Sequence, residues 1–129
     1  LSNYNSQEAL KQYRRLGLEA EVNSASPHRL IQLLFIGALD RIAIAQGAME
    51  RSDIPLKGEQ IGKAIAIISG LRSSLDMDAP GELPENLDQL YEYMEVRLVQ
   101  ASARNDAAAL TEVSDLIKTL KSGWDGIAP

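Results

Sequence analysis

Four long stretches of this chain repeat apolar residues at alternating steps of three and four, the spacing of one face of an α-helix. Little room is left for anything else in 129 residues, and no stretch alternates convincingly in the manner of a strand. Ser26-Pro27 reads as an N-cap followed by proline in the first helical position, opening a helix that runs to about Arg51. Its core line is Ile31, Phe35, Ala38, Ile42, Ala45 and Met49. Asp53 is placed to cap a second helix, to about Leu75, with Pro55 in its first turn and Ile61, Ala64, Ile65, Ile68, Leu71 and Leu75 inward. The stretch 76–83 holds Asp, Pro and Gly and is the longest break. A third helix from near Pro84 presents Leu87, Leu90, Tyr91, Met94, Leu98 and Ala101. Asn105-Asp106 reads as a left-handed terminal residue followed by the next N-cap. The last helix presents Leu110, Val113, Ile117, Leu120 and Trp124.

Short connections force neighbouring helices to pack antiparallel. The expected fold is all-α: an up-down four-helix bundle over residues 26–126, preceded by an N-terminal segment, residues 1–25. Within that segment, residues 6–18 carry a weaker pattern of Ala9, Leu10, Tyr13 and Leu16. A helix this short is not stable alone, so it must dock on the bundle or move.

Composition removes most chemistry. The chain has no cysteine, which excludes disulfide scaffolds, zinc–cysteine sites and thiol nucleophiles, and its one histidine cannot build a metal site alone. A net charge of −5 argues against a protein that binds nucleic acid by neutralising phosphates. With aromatics at 5%, the core must be aliphatic. No uninterrupted apolar run approaches a membrane span, so no membrane insertion is expected, and the opening residues do not read as a signal peptide. No nucleophile, base and orienting group come together, so neither an enzyme nor a cofactor is expected.

The faces turned away from the core are informative, placing each residue at about 100° per position. The last helix is conventional, with Thr111, Glu112, Asp115, Lys118, Thr119 and Ser122 outside. The helix from Ser26 is not: Leu33, Ile36, Ala43, Ile44 and Gly47 lie opposite its core, interrupted mainly by Asp40. The next helix carries Gly62, Ala66 and Gly70 at steps of four, a ridge without side chains. Glycine inside a helix costs about 1 kcal/mol relative to alanine. What such a ridge gains is close approach of another backbone. These two faces are the candidate groove for a partner helix, lined by Leu33, Ile36, Ile44, Gly62, Ala66 and Gly70, helped by Val96 and Val99 from the third helix. Two other occupants fit the same pattern: the N-terminal helix, through Leu10, Tyr13 and Leu16, or a second copy of the chain. A weakly docked N-terminal helix is also compatible with a partner that displaces it.

Single residues take plainer readings. His28, in the first turn of its helix, reads as a solvated surface histidine. A phosphotransfer bundle would place its histidine mid-helix, followed by a lysine and a small residue, whereas Arg29 and Leu30 follow here. Arg72 and Arg97 read as snorkelling at the bundle edge. Glu92 and Glu95 read as a solvated face, and Trp124 as an end-cap of the core.

Ala25-Ser26-Pro27-His28-Arg29-Leu30-Ile31, then Gly37-Ala38-Leu39, resembles the first long helix of the flagellar secretion chaperones, the FliS family. Lys63-Ala64-Ile65-Ala66-Ile67-Ile68, followed by Leu71 and Ser74-Leu75-Asp76, resembles the second. Asn86-Leu87, Leu90-Tyr91-Glu92-Tyr93-Met94, Arg97-Leu98, Ala101 and Asn105-Asp106 are similar to that family's third-helix signature. Glu112-Val113 and Gly123-Trp124 fit its last helix, so the resemblance spans residues 24–126. It implies a cytoplasmic export chaperone, monomeric or weakly dimeric. Such a chaperone holds the disordered C-terminal segment of flagellin, prevents premature polymerisation and delivers the subunit to the export apparatus. A signalling bundle of the phosphotransfer kind and a structural homodimer are the alternatives from other classes.

Overall fold

A computed structural model describes residues 3–17 and 26–127. Among them are five helices: α1 (Ser6–Arg15), α2 (Pro27–Glu50), α3 (Ile54–Ser73), α4 (Leu83–Arg104) and α5 (Ala107–Asp125). Every named element among the described residues is a helix, as the periodicity predicts. Residue 18 and the stretch to residue 25 lie outside the described residues.

The helix starts follow local chemistry. Ser26 accepts from the Arg29 amide, Asp53 from that of Leu56, Asp106 from that of Ala109 and Asn5 from that of Glu8. Each satisfies an amide that the helix cannot pair, worth about 1 kcal/mol. α4 starts without a side-chain cap but with a proline in its first turn. Asn105 takes the expected left-handed conformation, φ 52°. Lys57 is buried, and its ammonium donates to Ser102 O and Asn105 Oδ1, both at 3.1 Å. It thus satisfies a carbonyl at the end of α4 that the helix leaves open.

In the bundle, α2 packs on α3 and α5, and α4 on α3 and α5. Cross-links set the directions: the start of α2 meets the end of α5 through His28 and Trp124. Arg72 near the end of α3 meets Asp88 near the start of α4. Both pairs are antiparallel. The core is aliphatic around Phe35, Tyr91 and Trp124.

α2 is the central element. It is long and apolar enough to cross a membrane by length and composition alone. Its faces touch α1, α3 and α5, and the core helix of a bundle needs apolar residues on most sides for that reason.

The expectation for His28 is corrected. It is buried, its ring stacks on Trp124 with centroids 4.8 Å apart, and its Nε2–H donates to Trp124 O at 2.9 Å. The Trp124 indole N–H donates to His28 O at 3.0 Å, so Trp124 caps the core as expected and binds the start of α2 while doing so. Arg72 does not simply snorkel, and Glu92 and Glu95 are not a bare solvated face. The guanidinium lies 2.6 Å from Asp88, 3.3 Å from Glu92 and 3.5 Å from Glu95, bracing α3 against α4. Arg97 likewise pairs with Glu112 of α5 at 2.6 Å, and Tyr93 donates to the same carboxylate. Arg97, and then Tyr93, hold the Glu112 carboxyl below its usual range.

Ahead of α1, Tyr4 reaches the far end of the core. Its ring meets Trp124 edge-on, centroids 5.2 Å apart, and its hydroxyl lies 2.5 Å from that of the fully buried Tyr91. Burial pushes Tyr4 up to about 12, partly offset by its hydrogen bond to Tyr91, and raises Tyr91 well above its ordinary value. Both shifts favour the neutral form in the folded chain. Their stabilisation is therefore complete below the ordinary tyrosine range near 10 and is lost as pH rises through the folded values. At about pH 12 the expected loss from Tyr4 alone is about 2 kcal/mol. Urea midpoints should fall steeply above about pH 10, and Tyr4→Phe should flatten that slope.

Candidate functional site

The helical period of α2 puts Leu33, Ile36 and Ile44 on the side turned away from its core line. On α3 the same period places Ala66 and Gly70 on one face, one turn apart. The structure brings Leu33, Ile36 and Ala66 together around an open cavity of about 450 Å³ between the two helices. Tyr13 and Leu16 of the N-terminal segment close one end of it. Ile67, Gly37, Asp40, Arg41 and Lys63 complete the lining.

The small-residue ridge of α3 is used unevenly. At Gly70 the ridge is covered: a Cβ there would meet Gln12 Cβ at 3.4 Å and Leu16 Cδ1 at 3.5 Å. The helix α1 thus rests almost directly on the α3 backbone. Ala66, one turn away, lines the cavity, and above Gly62, a further turn on, a Cβ would meet nothing within 4 Å. The small-residue ridge therefore passes from covered to half-open to open along a single helix.

α1 covers with the face its sequence marks as apolar. Ala9 and Tyr13 are buried, Leu10 and Leu16 pack against the core in part, and Gln12 is buried between them. The rim is charged: Lys63 pairs with Glu59 at 3.1 Å, and Arg41 donates to Gln60 Oε1 at 3.1 Å. The first contact stays on α3, and the second links α2 to α3. The wall is apolar and the edge polar, the arrangement that suits the buried face of an amphipathic helix.

Not every candidate joins this cavity. Ile44 lies farther along the same side of α2, beyond Arg41, and is 38% exposed. Val96 and Val99 stand on α4, which packs on α3 and α5, and they are 50% and 55% exposed. They lie about 160° and 100° from Leu98 on the helix, so they face outward beside α3 rather than into the α2/α3 cavity. Gly62 is turned partly to that same side. Exposed apolar side chains thus stand on α4 as well as at the α2/α3 cavity.

Three participants escaped the periodicity. Ile67 is buried yet also lines the cavity, because it sits at the border between core and groove on a helix that is apolar on both sides. Gln12 offers no hydrophobic signal, although its neighbours Ala9 and Tyr13 flank it on the buried face. Tyr4 belongs to no periodic pattern at all.

The sequence model of the family described as "Flagellar protein FliS" matches residues 9–129. The chain is 59% identical over 120 residues to the flagellar secretion chaperone FliSB of Pseudomonas aeruginosa, covering 93% of this chain and 95% of that one. It is 44% identical to the flagellar secretion chaperone FliS of Salmonella typhimurium, covering 93% and 90%. With the protein of that name from Vibrio cholerae the identity is 40%, covering 94% and 89%.

Proposed function

Because the chain belongs to the FliS family of flagellar proteins, we propose that it is a cytoplasmic flagellar secretion chaperone that takes the C-terminal segment of flagellin into the α2/α3 groove. The observation that carries this reading is the half-covered groove itself. A cavity walled by Leu33, Ile36 and Ala66 opens beside α1, and Val96 and Val99 stand exposed on α4. A segment that folds as it binds can lay apolar helix faces along such a surface, at an ordering cost of a few kcal/mol. Holding it there keeps it from polymerising and leaves it extended enough to be handed to the export apparatus. Nothing in that task calls for a metal, a cofactor or a catalytic group. The α1 helix then acts as a cover, with Leu10, Tyr13 and Leu16 on surface the partner would otherwise reach.

The phosphotransfer alternative loses its residue, since the His28 ring is buried and stacked on Trp124. The direct test is co-purification of the intact chain with flagellin and with flagellin lacking its C-terminal segment. Full-length flagellin should be retained at equal stoichiometry and the truncated form lost in the wash. Equal retention of both would place the recognised element elsewhere in flagellin.

A further inference from the structure

One charge interrupts the outer side of α2. Leu33, Ile36, Gly37, Asp40 and Ile44 follow one another at the steps of a single helix face, so Asp40 has an isoleucine one turn away on either side. It lines the cavity together with Leu33, Ile36 and Ala66, and it is exposed in the free chain. Two cations share that lining, and both are engaged elsewhere. Lys63 pairs with Glu59 on its own helix at 3.1 Å, and Arg41 reaches to Gln60 of α3 at 3.1 Å. Among the described residues, the Asp40 carboxylate has no hydrogen-bond or ion-pair partner.

Water satisfies that carboxylate while the groove is open. An occupant that covers Leu33 and Ile36 passes over Asp40 as well and removes part of this water. A carboxylate dehydrated beside apolar side chains is unfavourable unless a donor replaces the water. Asp40 can only accept, so the occupant has to donate, and a cation does so most strongly. Long-range attraction is not the means, because Asp40 and Glu59 are balanced around the rim by Arg41 and Lys63. The selection acts at contact, through which residue of the occupant lies over Asp40.

We propose that Asp40 is the specificity residue of this groove. It selects a helical segment with a lysine or arginine three or four positions from the apolar residue seated among Leu33, Ile36 and Ala66. It thereby fixes the register in which that segment lies. That the segment is flagellin's rests on the function proposed above; the demand for a cation opposite Asp40 does not. A segment slipped by one turn sets an apolar residue on the carboxylate and is rejected, whereas an apolar side chain at position 40 would accept both registers.

Asp40→Leu separates this role from one in solubility alone. The substitution extends the apolar face, so a groove that binds by apolar contact only would hold the flagellin C-terminal segment more tightly. The expected result is about tenfold weaker binding in titration calorimetry, with the fold confirmed by circular dichroism. Asp40→Asn, which keeps an acceptor without the charge, should weaken it threefold or more. Unchanged or tighter binding by Asp40→Leu overturns the proposal. Each lysine and arginine of the segment is then changed singly to glutamine. One of these changes should weaken binding about tenfold on the parent chain and less than twofold on Asp40→Leu, as a direct pair requires. Losses that are the same on both chains, or no loss at all, overturn the proposal.

A segment that does not bind the parent chain defeats the proposed partner, and Asp40 is then decided by two helical peptides. They share one leucine face and carry either lysine or glutamate one turn from its centre. The parent should hold the lysine peptide at least tenfold more tightly, and Asp40→Leu should show no such preference. Equal binding of the two peptides, or of neither, overturns the proposal. A preference that persists in Asp40→Leu does so as well, since the overall charge of −5 would then be its source.

Discussion

Ile36→Asp is expected to remain folded and to bind the flagellin C-terminal segment about a hundredfold more weakly than the parent chain, a loss of about 2.8 kcal/mol. Ile36 is partly buried and borders the open cavity, so the free protein tolerates a carboxylate there in contact with water. A bound apolar face would remove that water and leave the charge unpaired, while also losing the contact of the isoleucine side chain, itself worth about 1.5–3 kcal/mol when fully buried. Ala66→Arg should act through the other wall by filling the cavity, with a loss of tenfold or more. Titration calorimetry on both variants, with circular dichroism to confirm folding, checks the pair. Two folded variants that bind like the parent would mean the groove is misplaced. Light scattering at micromolar concentration separates the remaining occupant. If the α2/α3 face pairs with a second copy, the parent chain will run at twice the monomer mass and Ile36→Asp will not.

Trp124→Ala should destabilise the chain by about 3–5 kcal/mol, the usual range for removing a large buried aromatic. Three losses coincide at this position. A cavity opens at the end of the core, His28 O loses its indole donor, and the Tyr4 and His28 rings lose the surface they pack on. Because Tyr4 depends on Trp124, α1 should loosen in the same variant. Trp124→Phe should recover much of the packing and none of the hydrogen bond. Urea unfolding measures the change, and a midpoint shift with an unchanged slope identifies it as stability rather than a more open denatured state. A loss under about 1 kcal/mol would show that the core end closes over the gap.

These residues also mark how far the sequence could be read. The helix starts at Pro27 and Ala107, and the break at Asn105, follow from caps and spacing within a few positions of each other. Leu33, Ile36 and Ala66 were legible as groove residues because the angle at which a residue leaves a helix depends only on its register. His28 was not legible. Its position near a helix start reads as solvated, and only Trp124, 96 positions later, makes it part of the core. Arg72 shows the same limit: its three carboxylate partners come from α4, and no local rule selects them. Val96 and Val99 were legible as outward-facing, but the side of the bundle they face depends on α4 neighbouring α3 and α5.

The sequence by itself determined an all-helical chain, the approximate bounds of each helix and the excess of apolar surface on α2 and α3. Those properties depend on spacing and capping over a turn or two, where the backbone leaves few alternatives. Only the tertiary structure decided how that surface is divided: covered at Gly70, half-open at Ala66 and open at Gly62. The division depends on where α1 comes to rest, against both α2 and α3, and contacts between residues this far apart in the chain are encoded by no local pattern.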